Sequence, residues 1–236
     1  MTDAGGEGPT PRQVRRTQAF YGRWARLYDH VADLPGVRSW RRRAAAALGL
    51  EEGDTALEMG CGTGANLPYL RERVGPRGRV LGLDLTAGML AAAARRGAER
   101  GWANAHLVQG DATAPPVCVA PGEGVDGLLA SFVLGMLPDP AAAVRDWCGL
   151  VRPGGRVALL EAGPTRWGPA RPLNLPFRAF VWGAAPDRRR AGGAAARRLG
   201  ERIEAARGAL RAASATYRTE RYGLGFVRLA VGTVPA

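Results

Sequence analysis

Three glycines stand at alternate positions in Leu57-Glu58-Met59-Gly60-Cys61-Gly62-Thr63-Gly64. Glycine allows the sharp turns that bring a backbone close to a ligand, so Gly60, Gly62 and Gly64 can cradle a small molecule. The run before them reads as a strand. The run after them reads as a helix, whose first N–H groups are free to face a ligand. The spacing is G-x-G-x-G, unlike the G-x-G-x-x-G dinucleotide fingerprint, and it lacks the G-K-[ST] ending of a phosphate-binding loop. Glu58, just ahead of the first glycine, would repel a pyrophosphate and suits a cationic or amine-bearing ligand. Asp84 follows 26 residues after Glu58, at the end of another apolar run. Its two oxygens can take both hydroxyls of a ribose. Asp111 ends the next run, in Gln109-Gly110-Asp111-Ala112, and Ser131 ends the one after. Ligands of open α/β sheets sit outside the carboxyl ends of the strands, so these residues would share one rim. The competing reading of Asp84 and Asp111 is helix capping or turn formation.

The elements that must position this rim follow from periodicity. Short apolar runs at 55–59, 79–83, 104–109, 125–131 and 155–161 read as strands. Between them 64–73, 86–100 and 139–150 read as helices, and 110–124 as a Pro-rich loop. Strand and helix in alternation imply right-handed crossovers and a parallel sheet covered on both faces. Ahead of the sheet, Phe20, Trp24, Leu27, Tyr28 and Val31 form one face of a helix over 11–32, which Pro35-Gly36 should end. Residues 38–49 read as a second helix. After Glu161 the rhythm breaks. Residues 162–176 hold four prolines and read as loop, 188–212 as a long Arg- and Ala-rich helix, and 214–234 as an antiparallel hairpin at the sheet edge.

The chain has 236 residues, enough for one ordinary domain without disulfide or metal staples. No run of about 18 apolar residues is present to span a bilayer. The first residues lack the apolar core of a signal peptide. Cys61, Cys118 and Cys148 are odd in number and lack metal-type spacing, which together suggest a reduced, cytoplasmic protein. All 33 basic residues are Arg. The net charge of +12 divides into +5 over 1–50, −3 over 51–165 and +10 over 166–236. Basic ends can attract anionic lipid, nucleic acid or an anionic substrate, or simply be solvated.

The segment 54–161 resembles the class I S-adenosylmethionine-dependent methyltransferases. The similarity lies in LEMGCGTG, VLGLD, VQGDA and LVRPGGRVALLE. FYGRWARLYD, EAGPT and GLGFVRLAVGTVP are most similar to the ubiquinone/menaquinone C-methyltransferases and the soluble phospholipid N-methyltransferases. The implied fold is α/β: a Rossmann-like, doubly wound, mostly parallel seven-stranded sheet with an antiparallel C-terminal hairpin and an N-terminal helical lid. Residues 1–10 would be a disordered tail and 11–50 the lid helices. Residues 51–236 would form the methyltransferase domain, with a lid or insertion and a basic helix over 162–212. The resemblance implies that Gly60, Gly62 and Gly64 line the methionine moiety of S-adenosylmethionine, with Glu58 setting the loop and its field. It implies that Asp84 holds the ribose, that Asp111 bonds the adenine amine with Ala112 beside it, and that Ser131 lies near the sulfonium or amino-acid end. Tyr21 or Tyr28 would close over the cofactor, with S-adenosylhomocysteine as product.

Methyl transfer from a sulfonium needs positioning and desolvation more than a metal. With two His and no clustered ligands, no metal site is expected. His30 is the candidate general base and His106, inside a strand, is structural. Cys61 reads as a small residue of the loop and not as a nucleophile. Residues 172–190 combine apolar side chains with a closing run of three Arg, which suits either peripheral contact with anionic lipid or a lid over the site. The expected acceptor is small and apolar or lipid-like, such as a quinol precursor or a phospholipid headgroup. Alternatives are a nucleic acid or protein acceptor held by the basic C-terminal region, or cofactor binding without turnover. SFVLGMLPDP lacks the N/D-P-P-Y pattern of enzymes that methylate base amines, which argues against nucleic acid.

Overall fold

The computed structural model describes residues 35–120, 122–165, 167–175 and 193–236. Among them, α1 (Pro35–Ala47) leads into β1 (Thr55–Met59), α2 (Leu67–Val74), β2 (Arg79–Asp84), α3 (Ala87–Glu99) and β3 (Ala105–Gln109). Then come β4 (Val125–Ser131), α4 (Pro140–Cys148), β5 (Val151–Ala162), α5 (Gly193–Ala212), β6 (Thr216–Tyr222) and β7 (Val227–Thr233). They build one seven-stranded sheet in the order β3-β2-β1-β4-β5-β7-β6. The first five strands run parallel, while β7 lies antiparallel between β5 and β6. Strand order reverses at β1 and β4, the place where open α/β sheets offer a crevice for a ligand.

The central strands are buried on both faces, as a covered parallel sheet requires. Leu57, Met59, Leu128, Leu159 and the fully buried Trp147 pack with α4 and α5 on one side. Ala56, Leu129, Ala158 and Leu160 pack with α1 and α2 on the other. Alternate residues of one strand thus serve opposite cores, and a one-residue slip would exchange them. Asp139 fixes the start of α4, because its carboxylate accepts from the Ala141 and Ala142 amides at 3.0 and 2.9 Å.

The expected parallel sheet and C-terminal hairpin are both present, and three boundaries differ. Pro35 opens α1, where the first helical turn has no use for the amide that proline lacks. The helix over 11–32 and the apolar stretch 177–183 lie outside the described residues. The helix expected from residue 64 starts at Leu67, because residues 60–66 are spent on the glycine turn. β5 begins at Val151, which pairs with Val125 before the register breaks and resumes at Arg156 opposite Gly127. Within 162–176, a short 3-10 helix (Gly168–Leu173) stands where a loop was expected.

Candidate functional site

The glycine turn leaves β1 with φ of +67° at Gly60, +55° at Gly62 and +77° at Gly64. These are left-handed conformations that side chains resist. The three glycines meet different surroundings. A Cβ on Gly60 would lie 2.6 Å from Val133 Cγ2, and one on Gly64 would lie 2.8 Å from Leu67 Cδ1. A Cβ on Gly62 would meet open space. Two glycines are therefore bare so that the protein can close-pack, and Gly62 alone offers its backbone outward. Cys61 is buried between them, its Sγ within 3.0 Å of where a Cβ on Gly82 would stand. Burial, with Glu58 and Asp84 near it, pushes its thiol well up, as a packing residue and not a nucleophile would have it.

Asp84 anchors the turn to β2. One carboxylate oxygen accepts from the Gly62 amide and the other from the Thr86 amide, both at 2.8 Å. Burial pushes its carboxyl up, opposed by those two amides. Asp111 closes a similar local turn, where its Oδ1 accepts from the Thr113 amide and hydroxyl, each at 2.8 Å. The turn-forming reading of both acids therefore holds. It does not exhaust them, since a carboxylate has about four acceptor positions. The buried Ala112 beside Asp111 has its carbonyl fixed by the Trp147 indole N–H at 2.7 Å.

A buried polar network joins β1, α2, β4 and α1. Asn66 donates from Nδ2 to Glu58 Oε1 at 2.5 Å and to Ser131 Oγ at 2.7 Å. Arg41 donates to Asn66 Oδ1 at 2.9 Å and to Ser131 Oγ at 3.3 Å. Its guanidinium lies 5.3 Å over the ring of Phe132, a left-handed residue (φ +57°) whose amide donates to the Leu160 carbonyl. Ser131 is thus held within the network. Burial drives the Glu58 carboxyl to about 8, although the Asn66 amide and the Arg41 charge pull the other way. Its second oxygen is buried with no hydrogen-bond partner among the described residues.

Next along the rim, Glu161 at the end of β5 is also buried. Its Oε1 accepts from the Val133 and Leu134 amides, both at 3.1 Å, which fixes the turn after β4. Burial drives this carboxyl to about 8 as well, against the two amides.

The structure thus brings Glu58, Gly60, Gly62, Gly64, Asp84, Asp111, Ala112 and Ser131 to one end of the parallel strands. Tyr21, Tyr28 and His30 lie outside the described residues. His106 is exposed on β3. Among the described residues, no three His, Cys, Asp or Glu are grouped to hold a metal ion, and no helix is long and apolar enough to cross a membrane. Sequence reasoning missed Arg41, Asn66, Phe132 and Glu161. Glu161 could have been found by the strand-end rule that singled out Asp84. Arg41 could not, being one of three consecutive arginines.

Residues 56–155 match a family model described as a methyltransferase domain. The chain is 37% identical over 147 residues to the 2-phytyl-1,4-naphtoquinone methyltransferase of Thermosynechococcus vestitus, covering 61% of this chain and 63% of that one. It is 33% identical over 176 residues to the demethylmenaquinone methyltransferase of Anoxybacillus flavithermus, covering 72% and 70%. The matched stretch spans less than two thirds of the length of the first curated relatives. In fold, the chain is similar to a SAM-dependent methyltransferase of Aquifex aeolicus, with a TM-score of 0.56 at 18% identity over 97% of this chain and 100% of that one.

Proposed function

Because the chain belongs to the class I S-adenosylmethionine-dependent methyltransferases, we propose that it transfers a methyl group to a small, apolar or lipid-like acceptor such as a quinol precursor or a phospholipid headgroup. The observation that carries this reading is the glycine turn clasped by Asp84, with an unpaired carboxylate oxygen of Glu58 buried two residues before it. A turn of that kind fits a ligand bearing a sulfonium and an ammonium, because a nearby cation favours the ionised form of a carboxyl that burial otherwise keeps protonated. When bound, S-adenosylmethionine supplies a methyl group already activated on sulfur.

Each residue has a stated task. Gly60 and Gly64 shape the turn, and Gly62 presents its open backbone to the methionine moiety. Asp84 keeps acceptor capacity on both oxygens for the ribose hydroxyls. Asp111 bonds the adenine amine through the oxygen that Thr113 does not occupy, with Ala112 beside it. Glu58 sets the field beneath the amino-acid end, and Ser131 and Asn66 hold Glu58 in place. Tyr21 or Tyr28 closes over the cofactor, and His30 is the candidate base if an acceptor proton must leave early.

Two features support an apolar acceptor and peripheral contact with anionic lipid. The relatives at 31–37% identity include proteins named for naphthoquinone and menaquinone substrates. Trp167, Leu173 and Leu175 are exposed, and in the sequence they precede the Arg-rich stretch. The test is to incubate the full chain with methyl-labelled S-adenosylmethionine and a lysate of source cells, then partition the label. Label in the organic phase is the expected result. Label in the aqueous small-molecule or macromolecular fraction would overturn the lipid-like acceptor, and no label despite cofactor binding would overturn turnover itself.

A further inference from the structure

A cavity of about 540 Å³ opens where the end of β5 faces α5. Its wall runs from Glu161 to Thr165 on the first side and includes Gly200, Ile203 and Glu204 on the second, with Arg228 of β7 at the edge. We propose that this cavity receives the methyl acceptor, and that it takes a flat, uncharged ring whose hydroxyl hydrogen-bonds Glu161. The proposal rests on the methyltransferase reading above.

The position is right. Met59 of β1 is level with Ala130 of β4, which is level with Leu159 of β5. Glu161 therefore stands at the same sheet end as the glycine turn, two strands across, or about 10 Å at roughly 4.8 Å per strand. Val133 links the two places, since its side chain packs against Gly60 and its amide donates to Glu161.

The shape is that of a slot. Gly163 on β5's side and Gly200 on α5's side each have nothing within 4 Å of where a Cβ would stand. Gly163 is nonetheless buried, so its open side is the cavity itself. Two bare backbones facing one space admit a planar body, and Pro164 and Ile203 add apolar wall. The volume is within the range of small-molecule sites.

The chemistry is selective. Glu161 is 5% exposed, with Oε1 committed to two amides, and its other oxygen accepts no hydrogen bond among the described residues. A buried carboxyl with a spare oxygen calls for a polar partner, and a hydroxyl is the smallest that serves. Charge excludes a phosphate headgroup. Glu201 and Glu204 line the cavity beside the buried Glu161, and Arg228 is engaged with Glu204 at 2.7 Å and the Pro164 carbonyl at 3.0 Å. An ammonium gains little from Glu204 either, because Arg207 and Arg228 already pair with it.

The test uses the full chain loaded with S-adenosylhomocysteine and titrated calorimetrically with naphthol. Gly200→Leu fills the slot from a helical position where a side chain meets open space. Gly208→Leu is its control, on an exposed face of the same helix, also with nothing within 4 Å. The expected result is a loss of naphthol affinity of at least tenfold in Gly200→Leu and none in Gly208→Leu, with adenosylhomocysteine affinity unchanged in both. Naphthalene, lacking the hydroxyl that can accept from or donate to the Glu161 carboxyl, should bind the unaltered chain at least fivefold more weakly than naphthol. Undiminished naphthol binding by Gly200→Leu, or none by the unaltered chain, would overturn the cavity assignment while leaving the methyltransferase reading intact. Equal binding of the two probes would overturn the role of Glu161. Failure of the unaltered chain to bind adenosylhomocysteine would instead overturn the reading beneath the proposal.

Discussion

Around β1, β2 and β3 the candidate contacts come from backbone turns, each closed by a residue near it in the chain or on the adjacent strand. Around β5, α5 and β7 they come from side chains on elements far apart in the chain, such as Glu161, Glu204 and Arg228, each more than 20 residues from the next. Left-handed backbone divides the same way. In the first region every described residue with positive φ is glycine, whereas Phe132 and Leu224 adopt φ of +57° elsewhere. The first region gives up side chains to make its turns without strain. The second does so at Gly154, Gly223 and Gly225 but keeps a side chain at Leu224, where surrounding structure must hold the strain in place.

The comparison can be broken most forcefully at Asp84. Asp84→Ala removes the clasp on Gly62 and a charge-assisted contact, which should weaken adenosylhomocysteine binding at least tenfold, with roughly 2–4 kcal/mol at stake. Calorimetry showing unchanged affinity would remove Asp84 from the site. The glycines sharpen the contrast next. Gly60→Ala should cost roughly 2–3 kcal/mol in urea unfolding, since it adds a clash with Val133 to a left-handed φ. Gly62→Ala should cost only about 1 kcal/mol of stability but weaken cofactor binding. Similar stability losses at both positions would mean that the space at Gly62 is not available.

The two buried acids, one in each region, should produce a shared pH dependence. An unfolded glutamate ionises near 4.5, whereas Glu58 and Glu161 hold their protons to about 8. Between these values the unfolded chain has released protons that the folded chain keeps. Their contribution is therefore full below about 4.5, falls as pH rises and levels off above about 8. Melting temperature should follow that slope, and Glu58→Gln or Glu161→Gln should each flatten it. An unchanged slope in both variants would place its origin elsewhere. The smallest effect is at Leu224, half exposed and left-handed. Leu224→Gly should raise stability by no more than about 1 kcal/mol, as relieved strain is partly offset by the freer unfolded chain. A loss would show that the Leu224 side chain matters more than its backbone.

Legibility in the sequence follows the same division. The glycine turn, Asp84 and Asp111 could be read because local backbone geometry demands those residue types at strand ends. The five parallel strands were legible from apolar runs, and the hairpin from its alternation. Arg41 was not, because only folding distinguishes it from the adjacent Arg42 and Arg43. The cavity was not, because its walls meet only after β7 inserts beside β5. The start of β5 was misplaced because Arg152-Pro153-Gly154-Gly155 reads as a turn, yet in the sheet it is the break in register opposite Val125 and Gly127.

The antiparallel insertion of β7 also governs how the chain can be made. β5 finds its outer neighbour only after roughly 65 further residues have emerged, several seconds at ordinary ribosomal speed. Until then the apolar run Val157, Ala158, Leu159 and Leu160 presents an unpaired edge, the kind of template onto which other nascent chains add. Slower synthesis through α5 would lengthen that exposure, so codon choice and chaperone supply over this interval should affect soluble yield more than equal changes within the first five strands.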